Sequence, residues 1–167
     1  MELYLLRHAI AVDKDSHAYR VDSERPLTSE GKQKMLRVAK GMKALDLSFD
    51  VILASPFLRA KQTAEIVARV FKAKKKLKLS VHLAVGGDTE NLIEELRQDY
   101  DLLKSALLVG HEPYLSHFIS LLLTGDSSLS LEMKKAGLCK LNIDSLQYGR
   151  CATLEWLMTP GQLSGLH

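Results

Sequence analysis

Three short runs of mainly apolar residues constrain the fold of this chain more than any other feature. They occupy residues 2–6, 50–54 and 106–110. Runs of this length predict buried strands, because buried helices are usually longer. A helical pattern follows the second and third runs closely, and strands that alternate with helices are typical of a parallel sheet covered by helices.

The remaining segments complete an alternating pattern. The predicted helices lie over about 28–45, 56–73, 89–103 and 113–123, and a further strand covers 77–85. Segments 137–143 and 151–158 surround a polar turn, which predicts an antiparallel pair. We therefore predict an α/β three-layer sandwich, with a mostly parallel central sheet flanked by helices and one antiparallel edge region near the C-terminus. A single domain is expected to span residues 1–167.

Composition narrows the classes of function. The 46% hydrophobic and 26% charged residues are ordinary for a globular protein. A formal net charge of +3 is too small to indicate nucleic-acid binding, and it fits weakly with acidic or phosphorylated partners. No apolar run has the ~18 residues that a membrane span needs, and the amino end lacks a secretion signal. We expect a monomeric cytoplasmic protein that binds neither nucleic acid nor membrane.

Cationic and imidazole side chains follow the three predicted strands. Arg7 and His8 come after the first strand, Arg59 lies on the helix after the second, and His111 comes after the third. The carboxyl ends of parallel strands share one edge of a sheet, which is where open α/β sheets bind ligands. We therefore expect these four side chains to converge.

The Ser55-Pro56 dipeptide suggests an anion site beside them. Ser is a good N-cap, and Pro suits the first helical position because its missing N–H would be unpaired there. A helix that starts at the end of a strand would point its free amides and dipole at a ligand. We therefore include Ser55 among the candidate substrate-binding residues.

This set of side chains suits phosphoryl transfer. An imidazole can attack phosphorus and carry the phosphoryl group transiently. Arginine offers a planar fork of donors for phosphate oxygens, where charge spreads in the transition state. The carboxylates of the chain show no magnesium or zinc spacing, so we expect neither a metal nor another cofactor.

Three segments resemble motifs of the histidine phosphatase superfamily, the phosphoglycerate-mutase-like proteins. They are Leu6-Arg7-His8-Ala9, the run Ser-Pro-Phe-Leu-Arg-Ala-Lys-Gln-Thr-Ala at 55–64, and Val-Gly-His-Glu-Pro at 109–113. The family usually has Gly where Ala9 stands. Arg-Pro-Leu-Thr at 25–28 with Gly31, and Trp-Leu-Met-Thr-Pro at 156–160, resemble the SixA branch, whose members are phosphohistidine phosphatases. The resemblance runs from Leu3 to about Pro160.

The resemblance implies a phosphoglycerate mutase-like fold and a role for each motif residue. His8 would be phosphorylated in turnover, while Arg7, Arg59 and His111 would complete the phosphate pocket. The implied substrate is phosphohistidine on a protein, such as a histidine-phosphotransfer domain or a carrier. No cofactor is implied.

The general acid is the open question of this site. Larger members of the superfamily place a Glu after the third strand, where this chain has Ala-Val-Gly-Gly-Asp at 84–88. Asp22 resembles an acid that the SixA branch keeps beside the phosphate, so it ranks first, ahead of Asp88 and Glu112. The imidazole that leaves phosphohistidine is a better leaving group than an alkoxide. A phosphoramidate therefore suits a site without a strong acid.

Two other functions remain as alternatives. One is a broad phosphomonoesterase for small metabolites that uses the same pocket, and the other is a phosphoprotein-binding module without turnover. Predicted elements fill most of the segment between Arg59 and His111, so little chain is left for a lid, and an open site favours a group displayed on a protein surface. His8 argues against the binding module, because binding needs only arginines and backbone amides.

Overall fold

A six-stranded sheet forms the centre of the computed structural model, which describes residues 1–100 and 102–166. The strands are β1 (Glu2–Arg7), β2 (Val51–Ala54), β3 (Leu77–Leu79), β4 (Ser105–Gly110), β5 (Leu138–Ile143) and β6 (Ala152–Met158). Their order across the sheet is β3-β2-β4-β1-β5-β6. Neighbours from β3 to β1 pair in parallel, whereas β5 is antiparallel to both β1 and β6. The predicted fold class is confirmed.

Helices cover both faces of this sheet. They are α1 (Ser29–Ala44), α2 (Leu58–Val70), α3 (Thr89–Tyr100), α4 (Tyr114–Thr124) and α5 (Pro160–Ser164). Tyr4 and Leu6 of β1 belong to the core cluster shared with α1 and α2, while Leu3 and Leu5 belong to the cluster shared with α3 and α4. Successive side chains of a strand point to opposite faces, so β1 is apolar throughout because both of its faces are covered.

Three predicted elements are shorter in the structure, and one of them is α2, which was expected over about 56–73 and covers Leu58–Val70. The strand expected over 77–85 ends at Leu79, where its single neighbour β2 also ends, and a 3-10 turn follows at Val81–Leu83. An edge strand cannot continue where it has no partner for its backbone. The helix expected over 89–103 ends at Tyr100, and residue 101 lies outside the described residues.

The helix α5 was not predicted from the sequence. Its start is marked by a capping box, in which Thr159 and Gln162 each bond the backbone of the other and Pro160 occupies the first turn. The helix packs on α1, where the carbonyl oxygen of Leu163 lies so close that a Cβ atom on Gly41 would stand 1.8 Å from it. In the described part of the chain, no helix has the length and apolar character that a membrane crossing requires.

The loop between β1 and α1 is folded against the helices. Ala11 forms an isolated bridge with Leu27, and the Leu27 N–H donates to the side chain of Gln62 on α2 at 2.8 Å. At the end of the loop, Thr28 caps α1 by accepting a bond from the Gly31 N–H, while its own N–H donates to the carbonyl of Ile10. The loop therefore has fixed ends beside the strand that carries Arg7 and His8.

We predict that Gly31→Ala destabilises the protein by about 1–3 kcal/mol, the usual cost of overpacking. A Cβ atom at this position would lie 2.0 Å from the backbone oxygen of Ile10, which cannot move without displacing the loop. Urea denaturation measures the change. Gly161→Ala is the matched control, because its Cβ atom would meet nothing nearer than the Thr159 hydroxyl at 3.9 Å. Equal stability of the two variants would contradict the prediction.

Candidate active site

The His8 ring is held in one tautomer directly after β1. Its Nδ1 lies 2.7 Å from the carbonyl oxygen of Ala9. A carbonyl can only accept a hydrogen bond, so Nδ1 carries the proton and Nε2 keeps its lone pair. The backbone fixes this position, because the His8 N–H donates to Gly110 and the Ala9 N–H donates to the Thr63 hydroxyl. His8 Nε2 is therefore an unprotonated nitrogen with a lone pair, held in a defined place.

Both histidines of the cleft are uncharged near neutral pH. Burial lowers the pKa of His8 to about 3, and the positive charges of Arg59 and Arg7 act in the same direction. Burial and Arg59 likewise lower the pKa of His111 to about 4. The ring centroids of the two histidines are 5.2 Å apart. A neutral imidazole retains the lone pair that nucleophilic attack requires.

Arg59 connects His8 to the loop that precedes α1. Its Nε donates to His8 Nε2 at 3.3 Å, which agrees with an unprotonated Nε2. Its two terminal nitrogens donate to the backbone oxygen and the carboxylate of Asp22, at 2.8 Å and 3.0 Å. The side chain is only 4% exposed. Arg59 is therefore oriented on one side by His8 and on the other by Asp22.

Asp22 is an ion-paired carboxylate in this structure. Besides Arg59, Arg25 contacts this carboxylate: its Nε donates a hydrogen bond at 2.9 Å, and a terminal nitrogen forms an ion pair at 2.8 Å. Partial burial works to raise the pKa of Asp22, but the bonds from Arg25 and Arg59 outweigh it and hold the pKa below its ordinary value. An ionised carboxylate cannot donate a proton. This arrangement favours Asp22 as the group that positions Arg59, whereas the sequence had suggested a proton donor.

The two lower-ranked acids are also engaged elsewhere. Asp88 is exposed and accepts a bond from the Asn91 N–H at 2.9 Å, which caps α3. Glu112 lines the cleft, but its two carboxylate oxygens accept bonds from the N–H and the hydroxyl of Ser116. In this structure Asp22 is thus paired with two arginines, Asp88 is not among the residues that line the cleft, and both carboxylate oxygens of Glu112 are bonded to Ser116.

Ser55 does not cap α2, so that prediction is wrong. The helix begins at Leu58, and the Ser55 hydroxyl accepts a bond from the Phe57 N–H at 3.2 Å in the turn before it. A second bond of 2.8 Å joins this hydroxyl to His111 Nε2. Arg59 still lies in the first turn of α2 and faces the cleft. Ser55 therefore positions the His111 ring.

The four residues expected to converge line one cleft of about 420 Å³. They are Arg7, His8, Arg59 and His111. Arg25 lines the same cleft, although the sequence analysis did not place it in the site. Arg25 follows Asp22 by three residues, and the two side chains form an ion pair. This spacing is the sequence feature that could have placed Arg25 in the site. Within residues 1–100 and 102–166, no group of three or more His, Cys, Asp or Glu residues could hold a metal ion.

Comparisons with known sequences agree with this geometry. The family described as the histidine phosphatase superfamily (branch 1) matches residues 3–84. An uncharacterized protein of Picosynechococcus sp. is 36% identical over 149 residues, which cover 84% of each chain. The phosphohistidine phosphatase SixA of Escherichia coli is 26% identical over 166 residues, which cover 98% of this chain and 96% of that protein.

Solved structures show the same architecture. The protein histidine phosphatase SixA complexed with tungstate superposes with a TM-score of 0.83 and 25% identity, over 98% of this chain and 99% of that chain. The alpha-ribazole phosphatase from Shigella flexneri gives a TM-score of 0.72 at 19% identity, over 96% of this chain and 97% of that chain. The second likeness concerns the fold alone.

We predict that the imidazole signals of His8 and His111 do not titrate between about pH 5 and pH 8 in the free protein, because both pKa values are depressed. Saturating inorganic phosphate should raise both pKa values, because a bound dianion stabilises imidazolium. Nitrogen-detected NMR measures this, with His8→Gln and His111→Gln used for assignment. Titration of either ring near 6.5 without phosphate would contradict the assigned environment.

Proposed function

Because this chain belongs to the histidine phosphatase superfamily, we propose that it is a phosphohistidine phosphatase that acts on proteins through a phospho-His8 intermediate. The observation that carries the proposal is the unprotonated Nε2 of His8 in a cleft lined by Arg7, Arg25 and Arg59. A nucleophile surrounded by cations suits attack on a dianionic phosphoryl group.

The first step transfers the phosphoryl group to the enzyme. The lone pair of His8 Nε2 forms a bond to phosphorus as the bond between phosphorus and the target imidazole breaks. The electron pair of the broken bond returns to the target nitrogen, which takes a proton from solvent. Arg7 and Arg59 stabilise the equatorial oxygens, where negative charge spreads in the transition state.

His111 supports the same transition state as a donor. The Ser55 hydroxyl accepts from the Phe57 N–H, and its own hydrogen remains to donate to His111 Nε2. The proton of the neutral ring is then on Nδ1, a buried nitrogen with no hydrogen-bond partner in the described structure. That N–H is available to a phosphoryl oxygen, which would satisfy it.

The second step regenerates the enzyme. A water oxygen attacks phosphorus, the bond to His8 Nε2 breaks, and its electron pair returns to the ring. Inorganic phosphate leaves, and the proton lost by the water passes to phosphate or solvent. Arginines and histidines supply the stabilisation in both steps, so the proposal includes no metal and no other cofactor.

The state of the carboxylates favours a phosphoramidate substrate over an alkyl phosphate. A positioned acid typically contributes ~10²–10⁴-fold when a poor leaving group must be protonated. Asp22, Asp88 and Glu112 are all engaged in other bonds. An imidazole leaves with less assistance than an alkoxide, so phosphohistidine is the substrate that this cleft can process best.

The rim of the cleft favours a target on a protein surface. Val85 lines the cleft while half of its surface is exposed, so the segment between β3 and α3 leaves the entrance open. An open site suits a group displayed on a protein surface, as also expected from the sequence. We therefore infer that the substrate is a histidine-phosphotransfer domain or a similar phosphohistidine carrier. A single copy of the chain supplies every side chain of the proposed site, so the enzyme is proposed to act as a monomer.

The test of this function is release of inorganic phosphate from a phosphohistidine-bearing phosphotransfer domain, with a metal chelator present. Wild type should release phosphate rapidly and much faster than from p-nitrophenyl phosphate, whereas His8→Ala should be inactive on both. Strong turnover of small esters without release from the domain would support the metabolite phosphatase instead. Binding of the domain without any turnover would support the binding module.

A substitution at Asp22 separates positioning from proton donation. We predict that Asp22→Asn slows the turnover of phosphohistidine and of an alkyl phosphate by a similar factor of roughly tenfold or more, since one charge-assisted bond to Arg59 is weakened. The shape of the pH profile should stay the same, because no titrating proton donor is removed.

Asp13→Asn is the matched control for this measurement. Asp13 also lines the cleft, but its carboxylate accepts a bond from the Asp15 N–H and contacts no arginine in the described structure. We expect little change in this variant. Loss of activity in Asp22→Asn that is confined to substrates with poor leaving groups would identify Asp22 as the general acid.

A further inference from the structure

Two lysines at the entrance of the cleft have no role in the steps above. Lys14 and Lys135 line the cleft and are exposed. Neither forms an ion pair within the part of the chain that the structure describes. They come from different segments, since Lys14 lies in the loop after β1 and Lys135 lies just before β5. The cleft therefore carries two unpaired ammonium groups at its rim.

Lys135 has a fixed position relative to the catalytic strand. The turn 133–137 is bonded to Arg7 in three ways: the Arg7 side chain donates to the Met133 carbonyl at 2.7 Å, the Arg7 N–H donates to Gly137, and the Ala136 N–H donates to the Arg7 carbonyl. Ala136 has a left-handed φ of 63°, a conformation that L residues rarely adopt. The backbone that carries Lys135 is thus tied to the residue that precedes His8.

Lys14 is attached to the same site by a different contact. The Arg25 side chain, which also binds Asp22, donates to the carbonyl of Val12 at 2.6 Å. Asp13 then caps the 3-10 turn that contains Lys14. The arginine that joins the phosphate pocket thereby also holds the segment in which Lys14 lies.

The two lysines are not needed to surround a phosphoryl group. Arg7, Arg25 and Arg59 are enough to surround a dianion, and the acids of the cleft are engaged in capping or hydrogen bonds. A phosphohistidine on a polypeptide brings its sequence neighbours to the rim when the ring enters the cleft. A small phosphate ester brings nothing there. The rim lysines can therefore distinguish protein substrates from small ones.

We propose that Lys135 and Lys14 bind carboxylate side chains that flank the target phosphohistidine, so that acidic surroundings select the protein substrate. This inference rests on the proposed phosphohistidine phosphatase activity and adds the chemistry of the partner surface. Ion pairs at an exposed rim are individually weak, so two of them give only a moderate preference for substrates with acidic neighbours. The arginine pocket supplies most of the affinity for the phosphoryl group.

The test compares two phosphohistidine peptides that differ only in their flanking residues, Asp and Glu in one and Asn and Gln in the other. Wild type should show a kcat/KM for the acidic peptide roughly five- to tenfold above that for the neutral peptide, as two exposed ion pairs allow. The preference should shrink as salt is added. The two peptides are compared with the same enzyme variant. Any effect of a substitution on the transfer of the phosphoryl group therefore cancels in the ratio of the two kcat/KM values.

Charge reversal then assigns the preference to the rim. Lys135→Glu should abolish or invert the peptide ratio, and Lys14→Glu should reduce it. Lys134→Glu is the matched control, because Lys134 is the exposed neighbour of Lys135 but does not line the cleft. It causes the same change in net charge at nearly the same place, and the ratio should stay close to that of wild type.

The outcomes separate the two proposals. Equal turnover of both peptides by wild type would overturn the rim inference while leaving the phosphatase activity intact. Equal effects of Lys134→Glu and Lys135→Glu would also overturn it, because they would indicate long-range attraction in place of contact at the rim. Absence of phosphate release from either peptide and from the phosphotransfer domain would contradict the proposed function itself.

Discussion

The convergence of three arginine side chains on one cleft determines the state of the other groups in the site. Burial, assisted by the positive charge of the arginines, lowers the pKa values of His8 and His111 and keeps both rings neutral, which leaves a lone pair on His8 Nε2. The same charge keeps Asp22 ionised, because Arg25 and Arg59 donate to its carboxylate. In the free protein Asp22 supplies the negative charge that the arginines require. In the proposed mechanism a phosphoryl dianion adds further negative charge when substrate is bound.

The register of the parallel strands explains why the arginine and histidine side chains lie close together. β4 pairs in parallel with both β1 and β2, with Arg7 opposite Gly110 and Ala54 opposite Val109. The three strands therefore end together, and the residues that follow them face one another. Further contacts refine the arrangement, since Thr63 on α2 accepts from the Ala9 N–H and Ser55 bonds the His111 ring. The positions of the proposed catalytic residues thus depend on the strand register and on hydrogen bonds from neighbouring residues of the same motifs.

The sequence predicted the alternation of strands and helices, because each central strand is apolar throughout. It also predicted the meeting of Arg7, His8, Arg59 and His111, because all four follow strands that end at one edge. It did not predict the short β3, whose end depends on where its partner β2 ends. Nor did it predict that Arg25 faces the cleft or that Asp22 is paired. Those contacts depend on how the loop after β1 folds over α2, and local sequence preferences do not encode that.

Trapping of the enzyme during turnover tests the central claim most directly. Wild type would be mixed with a phosphohistidine-bearing domain whose phosphoryl group carries an isotope label. The reaction would be quenched in alkali within milliseconds, and the enzyme would be analysed by mass spectrometry. The account predicts a transient phosphoryl group on His8 Nε2 that forms before free phosphate appears and decays as phosphate accumulates. Release of phosphate with no labelled enzyme at any time, or with the label on His111, would contradict it.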